Sequence, residues 1–582
     1  MNKRKEKRTP KPNWILYLLP LVIVIPLIFT EITEYKKQTN IVVDDTVSIA
    51  EEFEKAQVTN EEEEEEEEKK KPWLFQKEKR KEYHSPELKE KFLNKYKDDY
   101  GYDGEIDNLV TEELSRLEEC YLDYTGAALY AKTVLEKSFH DLSNNVYGNA
   151  HSRSPAAIRT ETSLAQLRRL ILNCLNADKN EYSVIFTSGT TQSVKMVGES
   201  FPWSKKSKFL YLKRSHNSVV GIREYAKLFG NGFYSVSEEE ILEKNPEHWK
   251  EILGMQEENT IVEKKGNNNK KEEEQEQEEQ EEDETIHLLA YPAESNFDGS
   301  KFDLDWIHEF KKNPPVNGTN WMVLLDAAAY LPTNSLDLKK HPADFVACSL
   351  YKMFGYPTGL GVLITRNEAI LKFKKHYWGG GTIILVSDES DFCLKHPKLS
   401  TKFEDGTLPF LDIITAKYGF EFIHKLQQKR ISRHVYSLAK FLYDQLIALR
   451  WKNGKNVVEV YGKWKQENNG DVQGGIVTFN TLNPAGEFIG YNQLDGTYAK
   501  EGIQIRSGCH CNPGSCSRYF GLNDDDRLSL VNSKTGCGDD IYQVNHKWLG
   551  ASRISLGYLS TFEDVEYFLY VFKNKIMTQF EE

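Results

Sequence analysis

Four small groups of residues in this 582-residue chain have the types and order to do chemistry. Residues 187–191, Thr-Ser-Gly-Thr-Thr, follow an apolar run and read as a strand-to-helix junction. Free backbone N–H groups and the helix dipole at such a junction would hold a phosphate. Asp326 closes the apolar stretch 321–325, where a carboxylate is costly unless it has a partner. Lys352 follows another apolar stretch, 345–349, and precedes the run MFGYPTGLG. A lysine against a low-polarity pocket has a lowered pKa and can form a Schiff base. Any one of these alone would read as a cap or a surface charge. As an ordered set they match a pyridoxal 5′-phosphate site, with Lys352 as covalent anchor and Asp326 on the pyridinium nitrogen. The fourth group is Cys509, Cys511 and Cys516 within RSGCHCNPGSC. The spacing lacks the regular pairing of zinc ligands, so no metal is predicted. A nucleophilic thiolate there needs a lowered pKa, and Arg506 and His510 are the cations at hand.

The elements that must position these groups are legible as periodicities. Residues 162–175 carry a helical pattern, and 182–186, 209–212, 321–325 and 345–349 are short apolar runs of strand type. Strands alternating with helices predict an α/β fold with a mainly parallel sheet, whose ligands gather at the carboxyl ends of strands. Aromatic residues make up 12% of the chain, which demands burial and excludes a wholly disordered chain. Eight cysteines are too sparse for a disulfide scaffold. Cys174, Cys348 and Cys393 lie in apolar contexts and are expected in the core.

The net charge of −14 argues against a nucleic-acid surface, but it is localised. Residues 61–68 are all glutamate and residues 272–284 include ten acidic side chains. Together they outweigh the whole net charge, and once the basic residues 1–11 are also set aside the remainder is nearly neutral. After a basic start, residues 14–29 are uncharged and mostly apolar. Residues 1–31 are expected to form a basic N-terminus and a single-pass membrane anchor over 14–30, and 32–82 a charged, disordered spacer. The acidic stretch 257–284 is expected to bulge as a loop insertion.

The phrases 121–130 (YLDYTGAALY), 148–152 (GNAHS), 186–190 (FTSGT), 199–203 (ESFPW), 291–297 (YPAESNF) and 325–329 (LDAAA) stand in this order along the chain. They continue with 351–359 (YKMFGYPTG), 379–382 (GGGT), 403–407 (FEDGT), 506–514 (RSGCHCNPG) and 553–558 (RISLGY). The set resembles the class V aminotransferases and, within them, the cysteine-desulfurase-like domain of molybdenum cofactor sulfurases. The resemblance implies a PLP-dependent transferase fold of type I. Its large domain, 83–420, would hold a mainly parallel seven-stranded sheet, and residues 421–582 a small α+β domain. It implies that Gly189, Thr190 and Ser349 hold the phosphate and that His216 stacks on the cofactor ring and shuttles protons. Thr382 would reach a phosphate across a homodimer interface, Arg553 would bind the substrate carboxylate, and His151 would lie near the substrate. Cys511 falls where cysteine desulfurases carry the persulfide, with Cys509 and Cys516 as possible helpers on a mobile loop.

The expected reaction releases sulfur from L-cysteine onto Cys511 with formation of L-alanine, for molybdenum cofactor or another acceptor. Selenocysteine lyase or another class V lyase is the alternative enzyme reading, and a membrane-anchored binding protein the non-catalytic one. Ala329, three residues after Asp326, departs from desulfurases that carry a polar residue there and agrees with the molybdenum cofactor branch. That branch usually continues into a MOSC domain, whereas this sequence ends at Glu582, so the desulfurase half is expected without it. A persulfide cycle prefers a reducing compartment, which predicts a cytosolic catalytic domain against the orientation suggested by the basic start.

Overall fold

The apolar runs form strands of the larger of two main sheets in the computed structural model, which describes residues 83–255, 285–466, 469–534 and 541–581. The larger sheet contains β1 (Tyr182–Thr187), β2 (Phe209–Leu212), β3 (Phe233–Val236), β4 (Ile286–Pro292), β5 (Asn320–Asp326), β6 (Phe345–Ser349) and β7 (Gly361–Arg366). Their spatial order is β1-β7-β6-β5-β4-β2-β3. β7 runs antiparallel to both of its neighbours, and the other pairs are parallel. β2, β4, β6 and all but the first residue of β5 are fully buried. This is why they read as continuous apolar runs rather than as alternations. Their parallel carboxyl ends bring Asp326 and Ser349 to one edge of the sheet.

The smaller sheet is antiparallel: β8 (Val458–Tyr461), β9 (Ile476–Thr481), β10 (Arg506–Gly508) and β11 (Ala551–Ser555), in the order β8-β9-β11-β10. Two long helices, Phe410–Leu426 and Gln428–Ala448, lead into it. The division at 420/421 falls inside the first of these, and the described residues group into one compact unit. Residues 83–102 and the strand Cys120–Tyr121, assigned to the large domain by position, pack instead on the C-terminal elements, while Glu113 holds Thr133. Cys120–Tyr121 pairs in parallel with Ile503–Gln504. Phe92 contacts the Phe441 and Phe562 rings, and His84 Nδ1 lies 2.9 Å from Glu566 Oε2.

The proposed anchor at residues 14–30, the spacer and the acidic insertion lie outside the described residues. Among the described residues no helix is long and apolar enough to cross a membrane. Of the three cysteines expected in the core, Cys348 is buried, whereas Cys174 is exposed and Cys393 intermediate. The apolar neighbours of Cys174 occupy the buried face of the helix Pro155–Cys174, and Cys174 itself falls on the other.

Candidate active site

The phosphate cradle forms where β1 ends and the helix Thr190–Ser200 begins. Gly189 precedes the helix at φ +132°, a conformation open to glycine. A Cβ on Gly361 would lie 2.5 Å from the Gly189 Cα, so the close approach needs glycine at 361 and the backbone turn needs it at 189. The Thr190 N–H donates to Ser349 Oγ at 2.8 Å, and the two hydroxyls lie 2.7 Å apart. Two hydroxyls and a helix N-terminus thus converge from different elements.

Asp326, 6% exposed at the end of β5, accepts a hydrogen bond from the Ala328 N–H at 3.0 Å. Lys352 follows β6 on the short helix Leu350–Phe354. Burial pushes the Lys352 pKa down; Asp326 opposes this, and Arg553 and Arg506 add to it. That favours the neutral, nucleophilic amine. His216 Nδ1 accepts the Ser218 N–H at 3.1 Å, which assigns the ring proton to Nε2. Burial lowers its pKa, against the pull of Asp326 and with Lys352 and Arg553 reinforcing the shift. Lys352, Asp326, His216 and Arg553 therefore act on one another electrostatically. The donor set fits pyridoxal 5′-phosphate: a cradle for the phosphate, a carboxylate at a strand end and a lysine biased toward its neutral form.

Arg553 lies on β11 and is 2% exposed. Its Nη1 donates to the Asn296 carbonyl and its Nη2 to Asp123 Oδ1, each at 2.8 Å. Cys511 lies within electrostatic reach of this guanidinium. The turn bearing Cys511 is tied down, in contrast to the mobile loop expected from its glycines and proline. The Cys511 carbonyl accepts from the Asn217 N–H at 2.8 Å. The His510 carbonyl accepts from Asn296 Nδ2 at 2.7 Å, and Asn512 Nδ2 donates to the Arg214 carbonyl at 2.9 Å. His510 and Cys511 both have φ +54°, a left-handed conformation uncommon outside glycine and met at functional turns.

Neither cation expected to activate the thiol acts as supposed. His510 is held well below the usual histidine range, first by burial and then by Arg553 and Arg506, so it is neutral. Arg506 is committed to Asp123, with Nε at 3.0 Å and Nη2 at 2.9 Å from Oδ2. Cys509 and Cys516 are joined in a disulfide, which removes both as helper thiols. Among the described residues no group of three or more side chains could hold a metal ion.

Two further residues singled out in the sequence lie away from the Lys352 pocket of this chain. Thr382 Oγ1 donates to the Gly379 carbonyl at 2.7 Å and lies 3.3 Å from Asp405 Oδ1. His151 is exposed and lines a separate cavity of about 300 Å³ with Arg153, Arg168 and His396. It also lies under Gly381, where a Cβ would meet its Cε1 at 2.6 Å. The structure thus joins His151 to the loop of Thr382, not to the pocket of Lys352.

The Aminotransferase class-V family model matches residues 120–231 and 231–568. The chain belongs to the class V aminotransferase family. Curated relatives include the molybdenum cofactor sulfurases of Oryza sativa (38% identical over 83% of this chain and 59% of the relative) and of Homo sapiens (36%, over 81% and 51%). The chain therefore spans between half and three fifths of the length of these relatives. Among solved structures, an apo cysteine desulfurase from Thermococcus onnurineus is similar with a TM-score of 0.59 at 21% identity, covering 82% of this chain and 98% of that one. A cysteine desulfurase from Escherichia coli gives 0.57 at 18%, covering 81% and 98%. Together they establish the fold as type I.

Within this class V framework the structure adds three residues that sequence reasoning did not single out. Asn296 ties the Arg553 strand to the Cys511 turn, and Asp123 pairs with two arginines. Glu294, 2% exposed, lines the pocket of Lys352 beside Tyr124 and Gly475. Burial raises the Glu294 pKa, and its Oε2 accepts from Asn334 Nδ2 at 3.1 Å. Asn296 and Glu294 stand in the phrase 291–297, yet no single-residue signal marks either.

Proposed function

We propose that this chain is a pyridoxal 5′-phosphate-dependent cysteine desulfurase that moves sulfur from L-cysteine to Cys511 and releases L-alanine. The observation that carries this reading is the convergence of Lys352, Asp326, His216 and Arg553 beside a Cys511 turn tied to the helix of His216. The cofactor, when bound, supplies an electron sink for the substrate amine. Gly189, Thr190 and Ser349 would hold its phosphate, Asp326 its ring nitrogen and Lys352 its carbonyl carbon. Arg553 fixes the substrate carboxylate, and His216 holds or returns a proton at Nε2. The Cys511 thiolate attacks the substrate sulfur, the carbon–sulfur bond breaks, and the carbon keeps the electron pair and is protonated to alanine. The persulfide then passes to an acceptor, for which the named relatives support molybdenum cofactor.

The test is purified chain with L-cysteine, following cofactor absorbance, sulfide and alanine. Lys352→Ala should lose the cofactor absorbance, and Cys511→Ala should keep it while losing sulfur release. Turnover of selenocysteine that survives Cys511→Ala would favour a lyase instead. A wild-type chain that takes up no pyridoxal phosphate would sink both enzyme readings.

We further propose that residues 14–30 anchor the chain with its catalytic residues in the cytosol; protection of the Glu582 end from protease in intact membranes would refute that orientation. A homodimer placing Thr382 at the partner's phosphate is supported by the exposed Ile384, Leu385, Phe392 and Leu394 that follow it. A monomeric mass in solution would contradict it.

A further inference from the structure

Asp123 sits where two cations meet. Arg506 and Arg553 are directly opposite one another on β10 and β11, a register at which like charges repel. The Asp123 carboxylate bridges them. Oδ1 takes Arg553 Nη2 at 2.8 Å, and Oδ2 takes Arg506 Nε at 3.0 Å and Nη2 at 2.9 Å. The carboxylate is held in place by its backbone. Asp123 bridges Ser555, the Ser555 N–H donates to the Leu122 carbonyl at 2.7 Å, and the Tyr124 N–H donates to the Ser555 carbonyl at 3.2 Å. The chain also leaves room for the cluster: a Cβ on Gly126 would lie 2.3 Å from Asp123 Oδ2 and 2.6 Å from Arg506 Nη2.

Two guanidiniums and one carboxylate leave one positive charge, which one further carboxylate neutralises. The Arg553 Nε is buried without a partner, so this arginine keeps a donor for that carboxylate. Arg506 has given its forked edge to Asp123. A second anionic group on the substrate would find the Nε–Nη2 edge of Arg506 already taken and would face the Asp123 carboxylate, an unfavourable juxtaposition that discriminates against such ligands.

We propose that Asp123 is a specificity-determining positioning residue: by withholding Arg506 it restricts the site to amino acids with an uncharged side chain. The inference rests on the reading of Arg553 as the carboxylate anchor, and it says which amino acids that anchor admits.

The experiment uses the full chain loaded with pyridoxal phosphate and measures calorimetric affinity for L-alanine and L-aspartate. Neither carries sulfur, so binding is read without sulfur release. Wild type should bind alanine about tenfold or more tighter than aspartate. Asp123→Asn should shrink that ratio at least about tenfold by improving aspartate, and Asp123→Glu should restore it. Adding Arg506→Gln to Asp123→Asn should abolish the gain. A wild type that binds both ligands equally overturns the proposal. So does an Asp123→Asn variant whose ratio is unchanged or whose affinities fall in parallel, because Asp123 would then only support Arg553. If Asp123→Asn does not fold, Arg506→Gln alone decides, since Arg506 is half exposed. It should weaken alanine without improving aspartate, and a gain for aspartate would overturn the proposal. Arg553→Lys reports separately on the anchor: unchanged alanine affinity would refute that reading whatever Asp123 does.

Discussion

Asp326 and Lys352 are a buried acid and a buried base held apart by strand geometry, and each shapes what the other can do. The Asp326 carboxylate raises the Lys352 pKa against a larger fall from burial. Replacing it with asparagine removes the only formal charge on that side chain and keeps its size. Asp326→Asn should lower kcat by roughly 10²-fold or more, the usual loss for a preorganised electrostatic partner. Cofactor uptake through Thr190 and Ser349 should persist. Steady-state rates alongside cofactor absorbance would check this, and an unchanged kcat would remove Asp326 from the reaction. These two residues were legible because a charge closing an apolar strand is conspicuous. Asp123 was not, since its partner Arg553 is 430 positions away and nothing local announces the pair. The sequence also suggested His510 as a cation for Cys511. That failed because neighbours on the chain say nothing of burial, and burial beside two arginines keeps this imidazole neutral.

The turn that carries Cys511 is fixed by close backbone contact as much as by hydrogen bonds. Gly514 opens the helix Pro513–Phe520 at a point where a Cβ would lie 1.8 Å from the Lys213 carbonyl oxygen. Gly514→Ala must push the turn off the Lys213–Arg214 backbone, an overpacking cost of about 1–3 kcal/mol. The expected result is normal cofactor absorbance with sulfur release reduced at least about tenfold. Equal losses of both would show that the change unfolds the site generally. The strands around this turn were unevenly legible. Phe209–Leu212 and Phe345–Ser349 match the apolar runs because both are buried along their whole length. Phe233–Val236 escaped notice as a half-buried edge strand. Gly361–Arg366 begins with glycine and ends in a polar pair, and it carries the antiparallel reversal of the sheet. The tie between Cys511 and Asn217 joins residues that only the assembled fold brings together.

Buried histidines make the assembled fold sensitive to acid. His434 is wholly buried; its Nδ1 accepts the Gly101 N–H at 3.1 Å, and its Nε2 lies 3.0 Å from the Ser560 carbonyl. Burial lowers its pKa to about 3, and that of His287 to about 4. Unfolding lets each take up a proton below about pH 6.5, so the unfolded state gains as pH falls from there. His434 alone should withdraw about 2 kcal/mol by pH 5. His434→Gln should lose stability at pH 7 but flatten the decline of Tm between pH 7 and pH 5. Thermal melts across that range check it, and an unchanged slope would clear His434 of the effect. The α/β class and the charge localisation were legible in composition and periodicity. The packing of residues 83–102 on the C-terminal elements was not, because it depends on contacts that skip most of the chain.

That packing has a consequence for how the protein is made. His84 meets Glu566 across a sequence separation of 482, and Phe92 waits for Phe562. A ribosome adding roughly 5–20 residues per second needs about 25–95 seconds to cover that distance. The strands β1 to β7 emerge in between and can assemble first, while the early helix Pro86–Tyr96 keeps its aromatic face uncovered. The newborn chain therefore carries a sticky leading segment through most of its synthesis, and chaperones should engage it there. A ribosome stalled after residue 450 should leave Phe92 accessible to protease, and release of the finished chain should hide it.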